Sequence, residues 1–267
     1  MNNQPIGIFD SGIGGLTVAH AIINELPDES TVYLGDTARV PYGTRDKDVI
    51  TEFALQLTGR LLREKVKALI VACNTISATC LDEIKKASPV PVIDVIQPTV
   101  DEAVRKTKNL NIGVIGTHAT IESQIYNEKI KELNPNIRIY TQACPLFVPL
   151  AEEGFQEHPS TKLIAEEYLA GLRTSGIDTL ILGCTHYPLL KKIIQEVIGE
   201  QVTLIDSAQP TADALKQLLI EKNLLNNDQP QTTTEKFYVT NTPELGQKSV
   251  DLFFGDSHNI KLEKIVL

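Results

Sequence analysis

The 267-residue sequence predicts an α/β protein made of two pseudosymmetric lobes, each a mostly parallel sheet flanked by helices. Two observations lead to this prediction. Short, continuous apolar runs alternate with longer segments of helical period, a pattern typical of parallel strands whose two faces are both covered by helices. In addition, two short motifs recur further along the chain at nearly the same interval, which indicates that one unit was duplicated.

The predicted elements follow one another in regular alternation. The first half contains predicted strands at 6–9, 31–34, 68–72 and 90–93 and helical patterns at 14–26, 49–65, 75–87 and 98–108. Further strands are predicted at 111–115, 137–140, 179–182 and 202–205. A polar, loop-like stretch at 223–235 precedes a tail with a strand at 236–239, a helix at 243–254 and a strand at 260–266. The apolar content and the short length of the predicted strands favour buried strands.

Two pairs of segments indicate the duplication. The segment ALIVACNT around Cys73 resembles TLILGCTH around Cys184, and VIDVIQPT around Asp94 resembles LIDSAQPT around Asp206. A general likeness between βα units would also produce apolar runs in both places. It does not readily explain the shared cysteine or the shared Asp-x-x-Gln-Pro-Thr, so we favour duplication.

The ends of these repeats locate the points where the chain crosses between lobes. The repeated units close with Gln-Pro-Thr, which places the crossings near 97 and 208. We therefore expect residues 1–97 and 208–267 to form one lobe, to which the tail returns. We expect residues 98–207 to form the second lobe.

Composition excludes several classes of partner. The chain has 25 Lys and Arg against 34 Asp and Glu, a net charge of −9. We therefore expect no nucleic acid or membrane partner, because those surfaces are held mainly by Lys and Arg. The sequence contains no apolar run near the length of a membrane span, and its first residues do not resemble a signal peptide. These features predict a cytoplasmic protein whose cysteines are free thiols.

The four cysteines are of two kinds. Cys73 and Cys184 each follow a predicted strand and precede a helix, where backbone N–H groups stabilise a thiolate. Cys80 lies inside a predicted helix and Cys144 precedes a proline in a loop, so we expect both to be packing residues. No two cysteines have C-x-x-C spacing and no His stands at a zinc-finger interval, so we expect no metal site.

Two thiols at matching positions of a duplicated unit suit proton exchange at a stereocentre. One base removes a proton from one face of a carbon, and a conjugate acid delivers a proton to the opposite face. A thiol hydrolase needs one cysteine and a base, so a second cysteine in the matching position would be idle. A disulfide is disfavoured in a reducing compartment. The pattern therefore predicts an acid–base pair that faces a cleft between the lobes.

Polar residues beside the thiols fit a small anionic substrate. The segment Asp10–Gly15 offers a serine hydroxyl and backbone amides to a carboxylate. It is not a dinucleotide-binding fingerprint, because Thr17 stands where a third glycine is required, and the sequence has no Gly-Lys-Ser/Thr phosphate loop, so we expect no cofactor. Asp10, Asp36 and Glu152 can tune the thiols or receive a substrate ammonium. Further neutral donors are Asn74, Thr75, Thr185, His186 and the predicted turn at 41–44.

Four separated motifs surround these residues. They are Asp10-Ser-Gly-Ile-Gly-Gly-Leu-Thr-Val18, Gly35-Asp-Thr-Ala-Arg-Val-Pro-Tyr-Gly43, Ala72-Cys-Asn-Thr75 and Gly183-Cys-Thr-His-Tyr-Pro-Leu-Leu190. Together they closely resemble the glutamate racemases of the aspartate/glutamate racemase family. The resemblance implies a cofactor-independent isomerase that interconverts L- and D-glutamate for bacterial peptidoglycan synthesis. It also implies two α/β lobes with the active site in the cleft between them, and a homodimer.

The resemblance also assigns roles to individual residues. It makes Cys73 and Cys184 the two acid/base thiols, with Asp10 assisting the first and His186, together with Glu152, assisting the second. The substrate contacts that it implies are Asp10, Ser11, Tyr42, Gly43, Asn74, Thr75, Thr185 and His186. Asp36 and Thr117 or Thr120 are expected in the wall of the site.

Three other functions stay open on the sequence alone. A racemase for aspartate or another small acidic substrate would differ in its turnover of the two amino acids. A thiol hydrolase or amidase would form a trappable acyl-enzyme and would not racemise. A two-lobed binding protein would bind glutamate, leave both enantiomers unchanged and tolerate alkylation of its thiols.

Overall fold

The computed structural model describes residues 2–226, 233–243, 247, 250 and 260–267. Over these residues the chain is α/β and its strands form two sheets, which confirms the predicted fold class. Most of the predicted helix at 243–254 and part of the polar stretch at 223–235 lie outside the described residues. Within the described ranges, each helix is too short or too polar to cross a membrane.

Strands and helices alternate along the chain as predicted. The strands are β1 (Ile6–Asp10), β2 (Thr31–Gly35), β3 (Ala68–Val71), β4 (Val92–Asp94), β5 (Asn111–Gly116), β6 (Arg138–Ala143), β7 (Thr179–Gly183), β8 (Thr203–Ile205), β9 (Glu235–Val239) and β10 (Leu262–Lys264). The helices are α1 (Leu16–Glu25), α2 (Lys47–Leu62), α3 (Asn74–Ala87), α4 (Ile96–Lys106), α5 (His118–Glu122), α6 (Ile125–Leu133), α7 (Phe147–Glu152), α8 (Pro159–Thr174), α9 (Lys191–Ile198) and α10 (Ala208–Glu221). A 3₁₀ helix covers Tyr187–Leu190.

Two boundaries around β4 differ from the prediction for a physical reason. β4 begins at Val92 rather than at residue 90, because Pro91 has no N–H to donate to the neighbouring strand and only accepts a bond from Leu69 N. α4 begins before Pro98, because the Asp94 side chain accepts hydrogen bonds from Ile96 N and Gln97 N at its start. Proline is tolerated in the first turn of a helix, where its missing N–H has no intrahelical partner.

Both sheets repeat one strand order. The first sheet runs β10-β9-β2-β1-β3-β4 and the second runs β6-β5-β7-β8. The pairs that form them are parallel. β1–β4 therefore have the same order as β5–β8, as a duplicated unit predicts. The tail strands β9 and β10 extend the first sheet beyond β2, so the tail does return to the first sheet.

The continuous apolar runs are explained by burial of both faces of each sheet. In β1, Ile6 and Ile8 belong to one hydrophobic cluster, and Phe9 belongs to the cluster on the opposite face. In β7, Leu182 and Ile181 divide between two clusters in the same way. α10 packs against α1 in the core of the first sheet. The boundaries of the lobes at 97 and 208 stay a prediction, although α10 begins at Ala208.

A buried ion pair ties the chain together at the amino ends of β1 and β3. Lys67, which precedes β3, donates to Glu29, and the two side chains are 1% and 2% exposed. The Lys67 ammonium also donates to the Leu224 carbonyl at 2.8 Å, and Asn226 N donates to the Glu29 carboxylate at 2.9 Å. The pair therefore fixes the segment that leaves α10 against the start of the first sheet.

We predict that Lys67→Met lowers the free energy of unfolding by about 3 kcal/mol, because it leaves the Glu29 carboxylate buried without its cation. Urea unfolding followed by circular dichroism measures the change. The matched control is Lys192→Met, which removes an ion pair with Glu157 whose side chains are 80% and 74% exposed. That variant should unfold at the same urea concentration as the unsubstituted protein. Equal behaviour of the two variants would contradict the prediction.

Candidate active site

The candidate site lies where the strand order reverses in each sheet. In the first sheet the reversal falls between β1 and β3, and in the second it falls between β5 and β7. Asp10 ends β1 and Cys73 follows β3, while Thr117 follows β5 and Cys184 follows β7. Ligands of open α/β sheets bind at the carboxyl ends of strands at such points. The two sheets therefore contribute equivalent strand ends to the site.

A cavity of about 300 Å³ contains both predicted thiols in its wall. Other predicted residues that line it are Ser11, Tyr42, Gly43, Asn74, Thr75, Thr117, Glu152, Thr185 and His186. Pro41 and Thr44 of the predicted turn at 41–44 line it as well, and so do residues that the sequence did not indicate, namely Val40, His118, Pro145, Val148 and Pro149. Among these lining residues none is Lys or Arg. Within the described ranges, no cluster of His, Cys, Asp and Glu is placed to hold a metal ion.

Cys73 is a buried thiol held beside a serine and a carboxylate. Its Sγ atom lies 3.3 Å from Ser11 Oγ. Burial raises the pKa of the Cys73 thiol, and the Asp10 carboxylate raises it further, while hydrogen bonds with Ser11 oppose the change. Cys73 is therefore held in the protonated form, as a proton donor requires.

Asp10 lies behind Cys73 rather than in the cavity wall. It is fully buried, and its Oδ2 atom accepts hydrogen bonds from Gly15 N at 2.9 Å and Gly12 N at 3.3 Å. Its Oδ1 atom has no hydrogen-bond partner among the described residues. Burial raises the pKa of Asp10, and the positive charge of His186 opposes that rise. The carboxylate of Asp10 is thus covered and lies where it can act on the Cys73 thiol, and its direct contact with substrate stays a prediction.

Cys184 is accompanied by a different pair of groups. Its Sγ atom lies 3.9 Å from His186 Nδ1, and His186 Nε2 lies 3.0 Å from Glu152 Oε1. Burial by itself would lower the pKa of His186, but its contacts with Cys184 and Glu152 outweigh burial and raise that pKa to about 10. The imidazole is therefore positively charged at neutral pH. Cys73 faces a carboxylate, whereas Cys184 faces an imidazolium.

Gly14, in the segment after β1, and Gly43 allow the second lobe to approach closely. A Cβ atom on Gly14 would lie 2.5 Å from both His186 Nδ1 and Thr185 Oγ1. Gly43 makes a similar close approach, since its Cβ would lie 2.8 Å from Thr117 Cβ. Real Cβ atoms do not tolerate such distances, so glycine is required for the lobes to meet here.

Hydroxyl groups link the lobes on the other side of the cavity. Thr75 Oγ1 of the first lobe lies 3.0 Å from Thr117 Oγ1 of the second, and Thr117 Oγ1 lies 3.0 Å from Thr120 Oγ1. Thr75 and Thr117 line the cavity, whereas Thr120 lies behind them. Thr117 therefore lines the cavity directly, and Thr120 contacts it from behind.

Asp36 also lies behind the wall. The Tyr42 hydroxyl donates to Asp36 Oδ2, which also accepts from Arg39 Nε at 2.6 Å. Thr240, from the segment after β9, donates to Asp36 Oδ1 at 2.8 Å. Because both carboxylate oxygens accept from these donors, Asp36 holds Tyr42 from behind the cavity wall, and its predicted place in the wall itself stays a prediction.

Some lining residues carry no signal that sequence reasoning could use. Val148 and Pro149 are apolar and belong to α7, the helix that ends with Glu152. His118 could have been found, because it directly follows Thr117 at the end of a predicted strand, the same relation that pointed to the cysteines.

Comparison with known proteins places the chain in a family. The family model for Asp/Glu/hydantoin racemases matches residues 14–215. The chain belongs to this racemase family. The resemblance given by the four motifs is thereby confirmed, and the chain is an isomerase, an amino-acid racemase.

Individual racemases resemble this family member over its full length. A glutamate racemase from Geobacter metallireducens is 45% identical over 97% of this chain and 97% of its own. The structure of a glutamate racemase isoform from Bacillus anthracis has a TM-score of 0.94 at 37% identity and covers 100% of this chain and 99% of its own. The structure of the Francisella tularensis glutamate racemase in complex with D-glutamate has a TM-score of 0.92 at 41% identity. The match covers 100% of this chain and 98% of that one.

We predict that His186 stays protonated through neutral pH and that Glu152→Gln lowers its pKa from about 10. Because the folded-state pKa lies above the ordinary histidine value of 6.5, the stability contributed by the charged imidazole is fully present below about pH 6.5 and is lost as the pH rises through about 10. Titration of the ¹⁵N-labelled imidazole by NMR measures this. Glu153→Gln, at the exposed neighbouring carboxylate, is the control and should leave the titration unchanged. A midpoint near 6.5 in the unsubstituted protein would contradict the assignment.

Proposed function

We propose that this protein interconverts L- and D-glutamate by direct proton transfer at Cα between two thiols, without a cofactor. The observation that supports this most strongly is that Cys73 and Cys184, which occupy matching strand ends of two sheets of like order, line one cavity. The names of the relatives favour glutamate as substrate, and one related structure contains D-glutamate.

The proposed reaction from L- to D-glutamate begins at Cys184. The Cys184 thiolate takes the Cα proton, and the electron pair of the broken C–H bond stays on Cα. Cys73 then delivers its thiol proton to the opposite face, so the product leaves with Cys184 protonated and Cys73 as the thiolate. From D- to L-glutamate the two roles are exchanged. Each thiol therefore acts as base in one direction and acid in the other.

The groups beside each thiol suit these roles. Burial and the Asp10 carboxylate hold Cys73 protonated, which prepares it to act as the acid in the first direction. The charged His186, supported by Glu152, places a positive charge beside Cys184 Sγ, where negative charge develops on the thiolate. We propose that Asp10 assists Cys73, and that His186 and Glu152 assist Cys184, in this sense.

Neutral donors are proposed to hold the substrate and the carbanion. Asn74 and Thr75 are the first residues of α3, whose free backbone N–H groups and positive end of the helix dipole favour a carboxylate. Ser11, Thr185 and the Tyr42–Gly43 segment line the cavity beside them. Donors fixed in a cavity that excludes water stabilise developing charge more strongly than they would in solution.

The second thiol favours racemisation over hydrolysis. Cys184, His186 and Glu152 form a chain of nucleophile, base and acid that would also suit a thiol hydrolase. Such an enzyme has no use for Cys73 in the same cavity. Because both thiols line the cavity, proton transfer to opposite faces of one carbon explains the site more completely.

The biological setting belongs to the same proposal. We propose that the protein is a cytoplasmic homodimer that supplies D-glutamate for peptidoglycan synthesis, and thereby for the bacterial cell wall and cell shape. The resemblance to glutamate racemases supports this role. The net charge of −9 supports the absence of a nucleic acid or anionic membrane partner.

We predict that Cys73→Ala and Cys184→Ala each lower kcat for racemisation of L-glutamate by roughly 10²–10⁴-fold or more, because each variant lacks the acid or the base. Circular dichroism on L-glutamate without added cofactor follows the reaction. Cys80→Ala removes a buried thiol that does not line the cavity and is the matched control. It should keep most of the activity.

Loss of one thiol with full racemisation retained would overturn the two-thiol proposal. Turnover of aspartate in preference to glutamate would overturn the assigned substrate but leave the two-thiol chemistry in place. A trapped acyl-enzyme without racemisation would indicate a hydrolase instead.

A further inference from the structure

Tyr126 contacts the residues next to both thiols. It is the second residue of α6 and is 2% exposed. Its hydroxyl accepts a hydrogen bond of 2.8 Å from Nδ2 of Asn74, the residue that follows Cys73. Its ring lies against the backbone of Gly183, the residue that precedes Cys184, since a Cβ atom on Gly183 would be 3.2 Å from Tyr126 Cε2.

We propose that Tyr126 is a positioning residue that sets the placement of Cys73 relative to Cys184. The hydroxyl reaches the first lobe, and the ring belongs to the second. This inference rests on the proposed function, because the relative placement of the thiols matters only to a reaction that uses both of them.

The ring of Tyr126 is held firmly by the second lobe. It belongs to a hydrophobic cluster that includes Val114 of β5 and Ile181 of β7. These are the two strands of the second sheet that end at the site, and Ile181 lies two residues before Gly183. A ring packed in this cluster has to keep its position relative to the end of β7. The position of the Tyr126 hydroxyl is therefore fixed relative to Cys184, which follows β7.

The hydroxyl of Tyr126 fixes Asn74 in one orientation. The contacts of the Asn74 side chain fall on Nδ2, which donates to Tyr126 and lies 3.4 Å from Ser207 Oγ. Oδ1 is buried and has no partner among the described residues. The amide is thus held in place through Nδ2. Because Asn74 begins α3 directly after Cys73, fixing the amide also fixes the backbone at the thiol.

The reaction is sensitive to this placement. The two thiols must approach one carbon from opposite sides at contact distance, and a misplacement of about 1 Å can lower a rate by roughly 100-fold. Loss of one buried hydrogen bond should misplace the thiols by less than about 1 Å, and its effect on the rate should therefore be smaller. We therefore expect an intermediate effect from the removal of the Tyr126 hydroxyl.

The test is Tyr126→Phe, which removes the hydroxyl and keeps the ring against Gly183. We expect kcat to fall about tenfold in both directions, as the loss of one well-placed hydrogen bond predicts, with KM changed less than about twofold. Tyr168→Phe is the matched control, since it removes a hydroxyl whose contact is with Leu146 N, outside the cavity wall. It should behave as the unsubstituted protein.

A second measurement separates positioning from a general loss of folded enzyme. In D₂O, a misplaced proton donor prolongs the carbanion, so the first thiol exchanges its proton with solvent and returns deuterium to the starting enantiomer. The quantity measured is the amount of deuterium in the starting enantiomer divided by the amount of opposite enantiomer formed. We expect Tyr126→Phe to raise this ratio by about the factor by which kcat falls. Ser207→Ala, which removes the weaker contact to Asn74, should change this ratio in the same direction and to a smaller extent.

The outcomes are distinct. A Tyr126→Phe variant that racemises like Tyr168→Phe would overturn the inference. A variant that loses exchange and racemisation in equal proportion would also overturn it, because the hydroxyl would then be merely structural. An unsubstituted protein that does not racemise glutamate would overturn the proposed function itself, and with it the reaction that this inference refines.

Discussion

In the proposed reaction two thiols must approach one carbon atom from opposite sides, and the arrangement of the two sheets meets that requirement. Each thiol lies at its own strand end, and the same strand order occurs in both sheets. The sheets must also come close enough to share a cavity of about 300 Å³. Gly14 and Gly43 allow this approach, because a side chain at either position would collide with the second lobe. The hydroxyls of Thr75 and Thr117 then join the lobes across the cavity.

The two halves of the site match in geometry but not in charge. Cys73 has the buried Asp10 carboxylate behind it, whereas Cys184 has the charged His186 beside it. A symmetric pair would begin with both thiols in the same state of protonation. The unequal neighbours make the two thiols different, because burial and the Asp10 carboxylate hold Cys73 protonated while a positive charge lies beside Cys184. Since no Lys or Arg is among the described lining residues, an anionic substrate depends on helix N–H groups, hydroxyls and this one imidazolium.

Much of the fold could be predicted because burial on both faces makes parallel strands continuously apolar, and every predicted strand occurs in the structure with its ends shifted by a few residues. Cys73 and Cys184 could be found because they stand at repeated strand ends. Whether a side chain lines the cavity or lies behind its wall could not be predicted. A carboxylate such as Asp36 gives the same sequence signal whether it faces substrate or another side chain. Tyr126 was also missed, because a tyrosine in an amphipathic helix looks like an ordinary core residue. Its contacts with both lobes exist only after the chain has folded.

The central claim is that a different thiol acts on each face of Cα. Its most direct measurement is the position of deuterium during the first turnovers of the unsubstituted protein in D₂O, starting separately from L- and D-glutamate and read by mass spectrometry after separation of the enantiomers. Two thiols predict that the newly formed enantiomer carries deuterium at Cα from the first turnover, while the remaining starting enantiomer keeps its protium. A single base would return the same proton to either face. Substrate-derived protium in the product, or equal deuterium in both enantiomers from the start, would contradict the account.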